Sequence, residues 1–433
     1  MLRTIDLRGR SLSAAEFLAA VPRAAAARDE ALTVAAAIVV DVAERGDAAL
    51  REQASTFDGV TDHAIRVPAS HLAEALAQLA PEVRAALEEA IVRVRMGSAA
   101  QVPAPVVTEI APGARVAQRW QPVRRVGVYV PGGKAVYPSS VVMNVVPAQV
   151  AGVSEVALAS PPQREFGGRV HPTILAAAHL LGVTEVYAMG GAGAIGALAH
   201  GVASIGLEPV DVVTGPGNNF VAAAKRAVAG RVGIDSEAGA TEILVVADAA
   251  ADPALVAADL VSQAEHDEQA SAVLVTDAPD LARAVSDAVD ARAATTRHSA
   301  RVQAALTGPQ SAIVLVDDIA AATAFSNAYA PEHLELQLAD PRPEDFVHAG
   351  AIFVGPHTPV SLGDYLAGSN HVLPTGGQAR FQPGLSAATF LRPQQVVEYD
   401  RAALAAVRDG IVALAEAEAL PAHGEAVVAR FEA

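Results

Sequence analysis

The chain predicts an α/β fold built from two parallel-sheet units, with an N-terminal helical segment and a small C-terminal helical domain. Three observations predict it. At 433 residues the chain exceeds what one hydrophobic core usually organises. From Arg125 onward, short apolar stretches alternate with Ala-rich helical ones, as strands joined by crossover helices do. A Gly-rich segment, Gly215 to Gly239, falls in the middle of that alternation and splits it in two.

The first hundred residues read as helices. Ala31 to Ala43 is apolar and ends in Glu44-Arg45-Gly46-Asp47, while Pro81 to Met96 has helical spacing with acidic residues early and Arg later. Strands are then predicted at Val126–Val130, Val153–Ala159, Val186–Met189, Val210–Val213, Ile243–Ala247, Ala272–Thr276, Ala312–Val316 and Ala351–Val354. They number about eight, which suits two related sheets better than one wide one. Helices fill the gaps, for example His171–Leu181, Asn219–Val228 and Pro253–Glu265. The last fifty or so residues return to helix, with Arg401–Ala419 broken at Pro421.

Composition narrows the function. Apolar residues make up 52% of the chain and charged ones 18%, the profile of a packed globular protein. Aromatic residues are only 4%, so Ala, Val, Leu and Ile must fill the core. The formal net charge of −17, from 48 acidic against 31 basic residues, repels nucleic acid. Anionic cofactors are still admissible, because helix N-terminal amides hold phosphate without Lys or Arg. The absence of cysteine removes disulfides, thiolate metal sites and thiol nucleophiles together. Met1 to Arg10 has no apolar core of a signal peptide. Val186 to Leu207 is free of charge, but its glycines suit strand, loop and buried helix better than a membrane span. A cytoplasmic protein without membrane or nucleic-acid partners is expected.

Several segments carry groups suited to chemistry. Gly191-Ala-Gly193-Ala-Ile-Gly196 matches G-x-G-x-x-G after a strand and before a helix. Its ribose-binding acid should close the next strand, whereas Asp211 opens it, so a tight strand–helix turn is the competing explanation. Gly215-Pro-Gly217-Asn218 leads from a strand into a helix and leaves backbone amides open to a ligand, or simply caps that helix. Gln263 and His266 lie three apart at a helix end and share a face, so one ion can reach both. Gln is an uncommon zinc ligand, and His at a helix C-terminus also serves the dipole alone. Glu332-His333 places a carboxylate beside an imidazole, a proton acceptor and a water activator, or a turn with solvated charges. Leu362 to His371, with Asp364, is polar and Gly-rich after a buried strand, and loops at strand C-termini carry much α/β chemistry. Glu416, Glu418 and His423 lie near the C-terminus, where an isolated His ordinarily has no role.

Together these segments resemble the histidinol dehydrogenase family over nearly the whole chain. The resembling pieces are Val128-Tyr-Val-Pro-Gly-Gly133, Gly215-Pro-Gly-Asn218, Ser262-Gln-Ala-Glu-His-Asp267, Pro331-Glu-His-Leu-Glu335, Gly363-Asp-Tyr365, Asn370-His-Val-Leu-Pro-Thr375 and Ala415-Glu-Ala-Glu-Ala-Leu-Pro-Ala-His423, in the family's order. The resemblance implies two Rossmann-like units in an intertwined homodimer. It implies an N-terminal arm at 1–25, a zinc-bearing α/β domain at 26–128 with 241–385, an NAD-side domain at 129–240, and a tail at 386–433 reaching the partner subunit.

It also implies an oxidation of L-histidinol to L-histidine through L-histidinaldehyde, with two NAD+ and one Zn2+ per subunit. Gln263, His266, Asp364 and His423 match the zinc ligands, and the substrate completes the metal's sphere. Glu332 and His333 match the catalytic pair. Thr241, His333 and Glu418, with the zinc ligands, match substrate contacts, whereas Tyr129, Gly193 and Asn218 fall at NAD contacts. Glu418 and His423 come, in the family, from the other subunit. Two departures stand out: Gly193 where many members have Gln, and Ala240-Thr241 where Pro-Ser is common. With no cysteine to form a thiohemiacetal, water must add to the aldehyde before the second oxidation. A related dehydrogenase acting on a sulfonated diol is the rival reading. Glu418 argues against it, since a carboxylate suits a cationic amine or imidazole and repels a sulfonate.

Overall fold

An unbroken apolar run such as Ile243-Leu-Val-Val-Ala247 has no side to show to water, so it belongs in a sheet covered on both faces. The computed structural model satisfies this requirement twice. It describes residues 2–23, 28–132, 135–237 and 239–432. Gly133, the last residue of the Val128–Gly133 segment, lies outside them, as do Met1, 24–27, Lys134, Ala238 and Ala433.

The strands are β1 (Arg3–Asp6), β2 (Val106–Ala111), β3 (Ala114–Pro122), β4 (Arg125–Tyr129), β5 (Glu155–Ser160), β6 (Glu185–Ala188), β7 (Val212–Thr214), β8 (Gly233–Ile234), β9 (Glu242–Ala247), β10 (Ser271–Thr276), β11 (Ala312–Leu315), β12 (His333–Gln337), β13 (Ala351–Val354) and β14 (Leu391–Tyr399). One parallel sheet runs β6-β5-β4-β7-β8. The other runs β1-β11-β10-β9-β12-β13, also parallel throughout. In each, the chain steps outward in one direction and then restarts on the other side. The reversals lie between β4 and β7 and between β9 and β12, the doubly wound topology that opens a crevice at the switch point. The expected pair of parallel-sheet units is present.

Five strands, besides the two-residue β8, differ from the sequence reading. Arg3–Asp6 is not helical but adds an edge strand beside β11, too short and too mixed in polarity to show a period. The run Val106–Pro122 forms the hairpin β2–β3, and β14 pairs with β3, so residues 391–399 are strand rather than helix. β2 and β14 are largely solvent-exposed and β3 is mostly half-buried, which removes the apolar alternation that betrays a strand. His333–Gln337 was read as a polar pair followed by an apolar stretch, yet all five residues are buried strand.

The chain forms two compact units, Met1–Gln101 with Val123–Phe390, and Val102–Pro122 with Leu391–Ala433. In the smaller unit the antiparallel sheet β14-β3-β2 accompanies helices Arg401–Ala417 and Pro421–Val428. In the larger unit, helix Arg28–Arg45 packs on helices Gly191–His200 and Asn219–Val228, so the N-terminal helices complete the core of the five-stranded sheet. Separate apolar clusters cover the two faces of the six-stranded sheet. No described helix is long and apolar enough to cross a membrane.

Candidate active site

The polar groups of the larger unit gather at the amino ends of β9 and β12. This differs from the expectation that chemistry follows strand C-termini. Thr241 immediately precedes β9, Glu332 precedes β12, and His333 opens it, with His333 registered against Ile243. Helix Pro253–Ala264 runs back against the sheet and delivers Gln263 and His266 to the same end.

A hydrogen-bond chain links these residues. Gln263 Nε2 donates to Thr241 Oγ1 at 2.5 Å, and Thr241 Oγ1 donates to Glu332 Oε2 at 2.6 Å. The Glu242 amide donates to the same carboxyl oxygen at 2.9 Å. Because the Gln263 amide nitrogen points to Thr241, its carbonyl oxygen points the other way. Glu242 is itself held by an ion pair with Arg23 at 2.7 Å.

His333 is buried, and its Nδ1 lies 3.0 Å from the carbonyl oxygen of Glu242. A carbonyl only accepts, so Nδ1 carries the proton and Nε2 keeps the lone pair. Nε2 is inaccessible and has no protein partner. Burial pushes the His333 imidazole below its ordinary pKa, opposed by nearby Asp364 and by the Glu242 carbonyl, so the neutral base prevails. Burial drives the Glu332 carboxyl well above the carboxylate range, despite the donors from Thr241 and Glu242. Its oxygen stands 3.5 Å from His333 Nδ1. The pair therefore offers, in a dry setting, an imidazole base and a carboxyl that burial keeps protonated and that becomes a strong acceptor once its proton has left.

Of the expected zinc ligands, Gln263, His266 and Asp364 belong to the larger unit. Burial lowers the His266 imidazole, with Asp364 acting next and in the opposite sense, so these two side chains feel one another and His266 stays neutral. Among the described residues no group of three His, Cys, Asp or Glu side chains stands in metal-binding array. The chain's own donors account for that: the larger unit contributes one amide, one imidazole and one carboxylate, only two of them of that class. The donor set still fits zinc, with neutral imidazole, carboxylate and an amide oxygen. His423 and Glu418 lie exposed in the smaller unit, Glu418 closing helix Arg401–Ala417 and His423 within Pro421–Val428.

The residues expected to touch NAD cluster at the opposite, carboxyl end of the five-stranded sheet. Tyr129 ends β4, Gly193 lies in the helix after β6, and Asn218 follows β7. β4 and β7 flank the switch point, where a dinucleotide crevice belongs. The buried Tyr129 hydroxyl accepts from the Gly191 amide at 3.1 Å. Asn218 Oδ1 caps helix Asn219–Val228 by accepting from Phe220 and Val221 amides at 3.0 and 3.1 Å. The turn before it leaves no room for side chains: a Cβ on Gly215 would sit 1.9 Å from the Tyr129 carbonyl oxygen. The G-x-G-x-x-G segment follows an edge strand rather than the switch-point strand. Asp211, its candidate ribose ligand, instead accepts from the Arg124 and Arg125 amides at the far end of the sheet. A Cβ on Gly196 would come within 3.1 Å of Val39 Cα, so this glycine serves helix packing.

Two residues gain importance that sequence reading did not assign. His371 has a buried, unpartnered Nε2 and lies within electrostatic reach of Asp364, His333 and His266. Its polar, Gly-rich loop and its place in the Asn370–Thr375 motif were the signals. Gln53 projects its amide into the space beside Gly193, with Oε1 1.9 Å from where a Cβ would stand, and its Nε2 has no partner. Nothing in the local sequence around Gln53 marks it.

Comparison with known proteins agrees with the fold. Residues 21–431 match the family model of histidinol dehydrogenase. A histidinol dehydrogenase of Leifsonia xyli subsp. xyli is 66% identical over 433 residues, spanning 100% of this chain and 99% of its own. That of Mycobacterium tuberculosis is 57% identical over 437 residues, spanning 100% and 98%. The crystal structure of histidinol dehydrogenase from Elizabethkingia anophelis superposes with a TM-score of 0.92 at 32% identity, covering 100% of this chain and 98% of that one. An acetylating aldehyde dehydrogenase from Geobacillus thermoglucosidasius, at 12% identity and a TM-score of 0.50 over 90% of this chain and 96% of its own, shares the fold alone. The chain belongs to the histidinol dehydrogenase family of NAD-dependent oxidoreductases.

Proposed function

We propose that this chain oxidises L-histidinol to L-histidine through L-histidinaldehyde, using two NAD+ and one Zn2+ per subunit, in a cytoplasmic homodimer with shared active sites. The observation that carries the chemical reading is the unpartnered, buried Nε2 of His333, a neutral base beside the Glu332 carboxyl. Gln263, His266 and Asp364 would hold the zinc, with the partner's His423 as fourth ligand. When bound, zinc supplies a positive centre that orients the amino alcohol and favours its alkoxide. Tyr129, Gly193 and Asn218 would line the crevice for NAD+, which when bound would supply the hydride acceptor for each oxidation.

His333 Nε2 takes the alcohol proton as the carbinol carbon loses hydride, which leaves the aldehyde. Glu332 then removes a proton from water as its oxygen bonds to the aldehyde carbon, giving the hydrate. Loss of the second hydride and of a hydroxyl proton from the hydrate leaves the carboxylic acid. Thr241 holds Glu332 in place through its hydroxyl, and Glu418 suits the substrate's cationic groups. On this reading the 26–128 with 241–385 portion handles protons and metal, 129–240 binds NAD, and 386–433 serves the partner.

Reduction of NAD+ in the presence of L-histidinol, two NADH per histidine formed, tests the reading. Turnover of a sulfonated diol with none of histidinol overturns it.

A further inference from the structure

The turn Gly215–Asn218 is held by a buried ion pair that no part of the chemistry uses. Lys225 lies in helix Asn219–Val228 and Asp235 just beyond β8, with side chains 1% and 3% exposed. Lys225 Nζ meets Asp235 Oδ1 at 2.6 Å. The same ammonium donates to the Gly215 carbonyl at 2.9 Å, and Asp235 Oδ2 accepts from the Gly215 amide at 2.8 Å. Both peptide groups of one glycine are thus tied to one ion pair. That glycine has φ +121° and its Cα faces the Tyr129 carbonyl, a position barred to any side chain.

Burying two charges is costly, and an apolar pair of similar volume is often as stable. The chain has just two lysines among 31 Lys and Arg residues, and one is placed here, fully out of water. An ammonium on a flexible stem can meet a carboxylate and a carbonyl together within this space, where a planar guanidinium would not fit the same contacts. Charge-assisted hydrogen bonds to both peptide groups that flank one residue fix its conformation more tightly than neutral ones. From Gly215 the chain passes through Pro216 and Gly217 to Asn218, so the orientation of Gly215 sets where the open amides and the Asn218 cap lie.

We infer that Lys225 and Asp235 are positioning residues for the cofactor: their ion pair presets the Gly215–Asn218 turn in the shape that receives the dinucleotide. The inference rests on the reading that NAD lies at this turn.

Three variants and one wild-type measurement test it. Asn218→Ala examines the reading itself and should raise the NAD KM by about tenfold or more. Lys225→Met/Asp235→Leu removes both charges without leaving one buried and unpaired. It should raise the NAD KM by roughly tenfold, while the histidinol KM changes by less than about threefold. Lys225→Met/Asp235→Asn keeps an acceptor for the Gly215 amide and should recover part of that loss. If Asn218→Ala raises the NAD KM and the double apolar variant does not, the clamp is structural only and the inference is wrong. If Asn218→Ala leaves NAD binding unchanged, the placement of NAD fails, and the clamp's role fails with it. Hydrogen exchange on the wild-type protein needs no variant to fold: the Gly215 amide should be protected before NAD is added. Rapid exchange that slows only with NAD present overturns a preset turn.

Discussion

Thr241 Oγ1 donates to Glu332 Oε2 over 2.6 Å and thereby joins the amino end of β9 to the residue just before β12. These two strands flank the reversal point of the six-stranded sheet, so the bond crosses the place where the winding leaves a gap. Because Gln263 donates to the same hydroxyl, one small side chain ties an expected metal ligand to an expected proton acceptor.

That bridge makes a prediction about size and polarity. Thr241→Ser keeps the hydroxyl and should retain histidinol turnover within about threefold. Thr241→Ala strips Glu332 of a hydrogen-bond donor and leaves Gln263 unsatisfied, which should lower kcat/KM by roughly 10- to 100-fold. Steady-state kinetics at saturating NAD decide it, and equal activity of the two variants rejects the bridge as functional.

The division of labour between Glu332 and His333 is separable by half-reaction. His333→Asn should slow alcohol oxidation by on the order of 100-fold or more, the usual scale for loss of a general base. Glu332→Gln should spare alcohol oxidation more than oxidation of added histidinaldehyde. Equal losses in both half-reactions for Glu332→Gln count against the assignment.

At position 193 the structure refines an expectation drawn from sequence. Gly193→Gln should lower the NAD KM by restoring an amide, but its Cβ collides with the end of the Gln53 side chain, which must swing aside. The gain should therefore be larger in Gln53→Ala/Gly193→Gln than in Gly193→Gln alone. Titration with NAD reads both; collapse of NAD binding in both variants would mean that the backbone at 193 must stay bare.

Glu335 provides a pH test of stability. It lies two residues beyond His333 in β12, bonded to Gln337, and burial pushes its carboxyl up to about 9, with Asp259 nearby adding to the effect. A folded-state pKa above the unfolded value means that the native protein keeps a proton which the unfolded chain gives up. The contribution is complete below the unfolded carboxylate range and disappears as pH rises through about 9. Stability should fall over that window, by up to about 1.4 kcal/mol per pH unit from this group. Glu335→Gln mimics the protonated form and should flatten the fall in denaturant titrations at fixed protein concentration. An unchanged slope would show that Glu335 is ionised in the folded state.

The shared site predicts complementation. His423→Ala and His333→Ala homodimers should each be nearly inactive. Unfolding and refolding them together should create heterodimers in which one site carries both defects and the other none. Activity should return to about a quarter of wild type for random pairing. A mixture that stays inactive, while wild-type protein survives the same treatment, places His423 in its own chain's site.

Much of this molecule was legible from local chemistry. The apolar runs at 243–247, 272–276 and 312–316 announce a doubly covered parallel sheet, because such residues have nowhere else to go. The polar pair Glu332-His333 and the turn Gly215–Asn218 were visible for the converse reason: reactive or permissive residues interrupt a pattern that packing alone would keep regular. The strands β2, β3 and β14 were not visible, since edge and surface strands bury too little to imprint a period.

What the sequence determined alone is therefore the layer architecture, the absence of thiol chemistry and the identity of the groups available for proton transfer. Only the tertiary structure decided where they meet. It set the Glu332 and His333 site at strand amino ends rather than carboxyl ends, turned His333 Nε2 into the free acceptor by giving Nδ1 to the Glu242 carbonyl, and brought Gln53 against Gly193. The physical reason is range. Burial and periodicity act within a few residues and leave a trace in the chain, whereas hydrogen-bond partners more than ninety positions apart, such as Thr241 and Glu332, are chosen by the winding of the sheet.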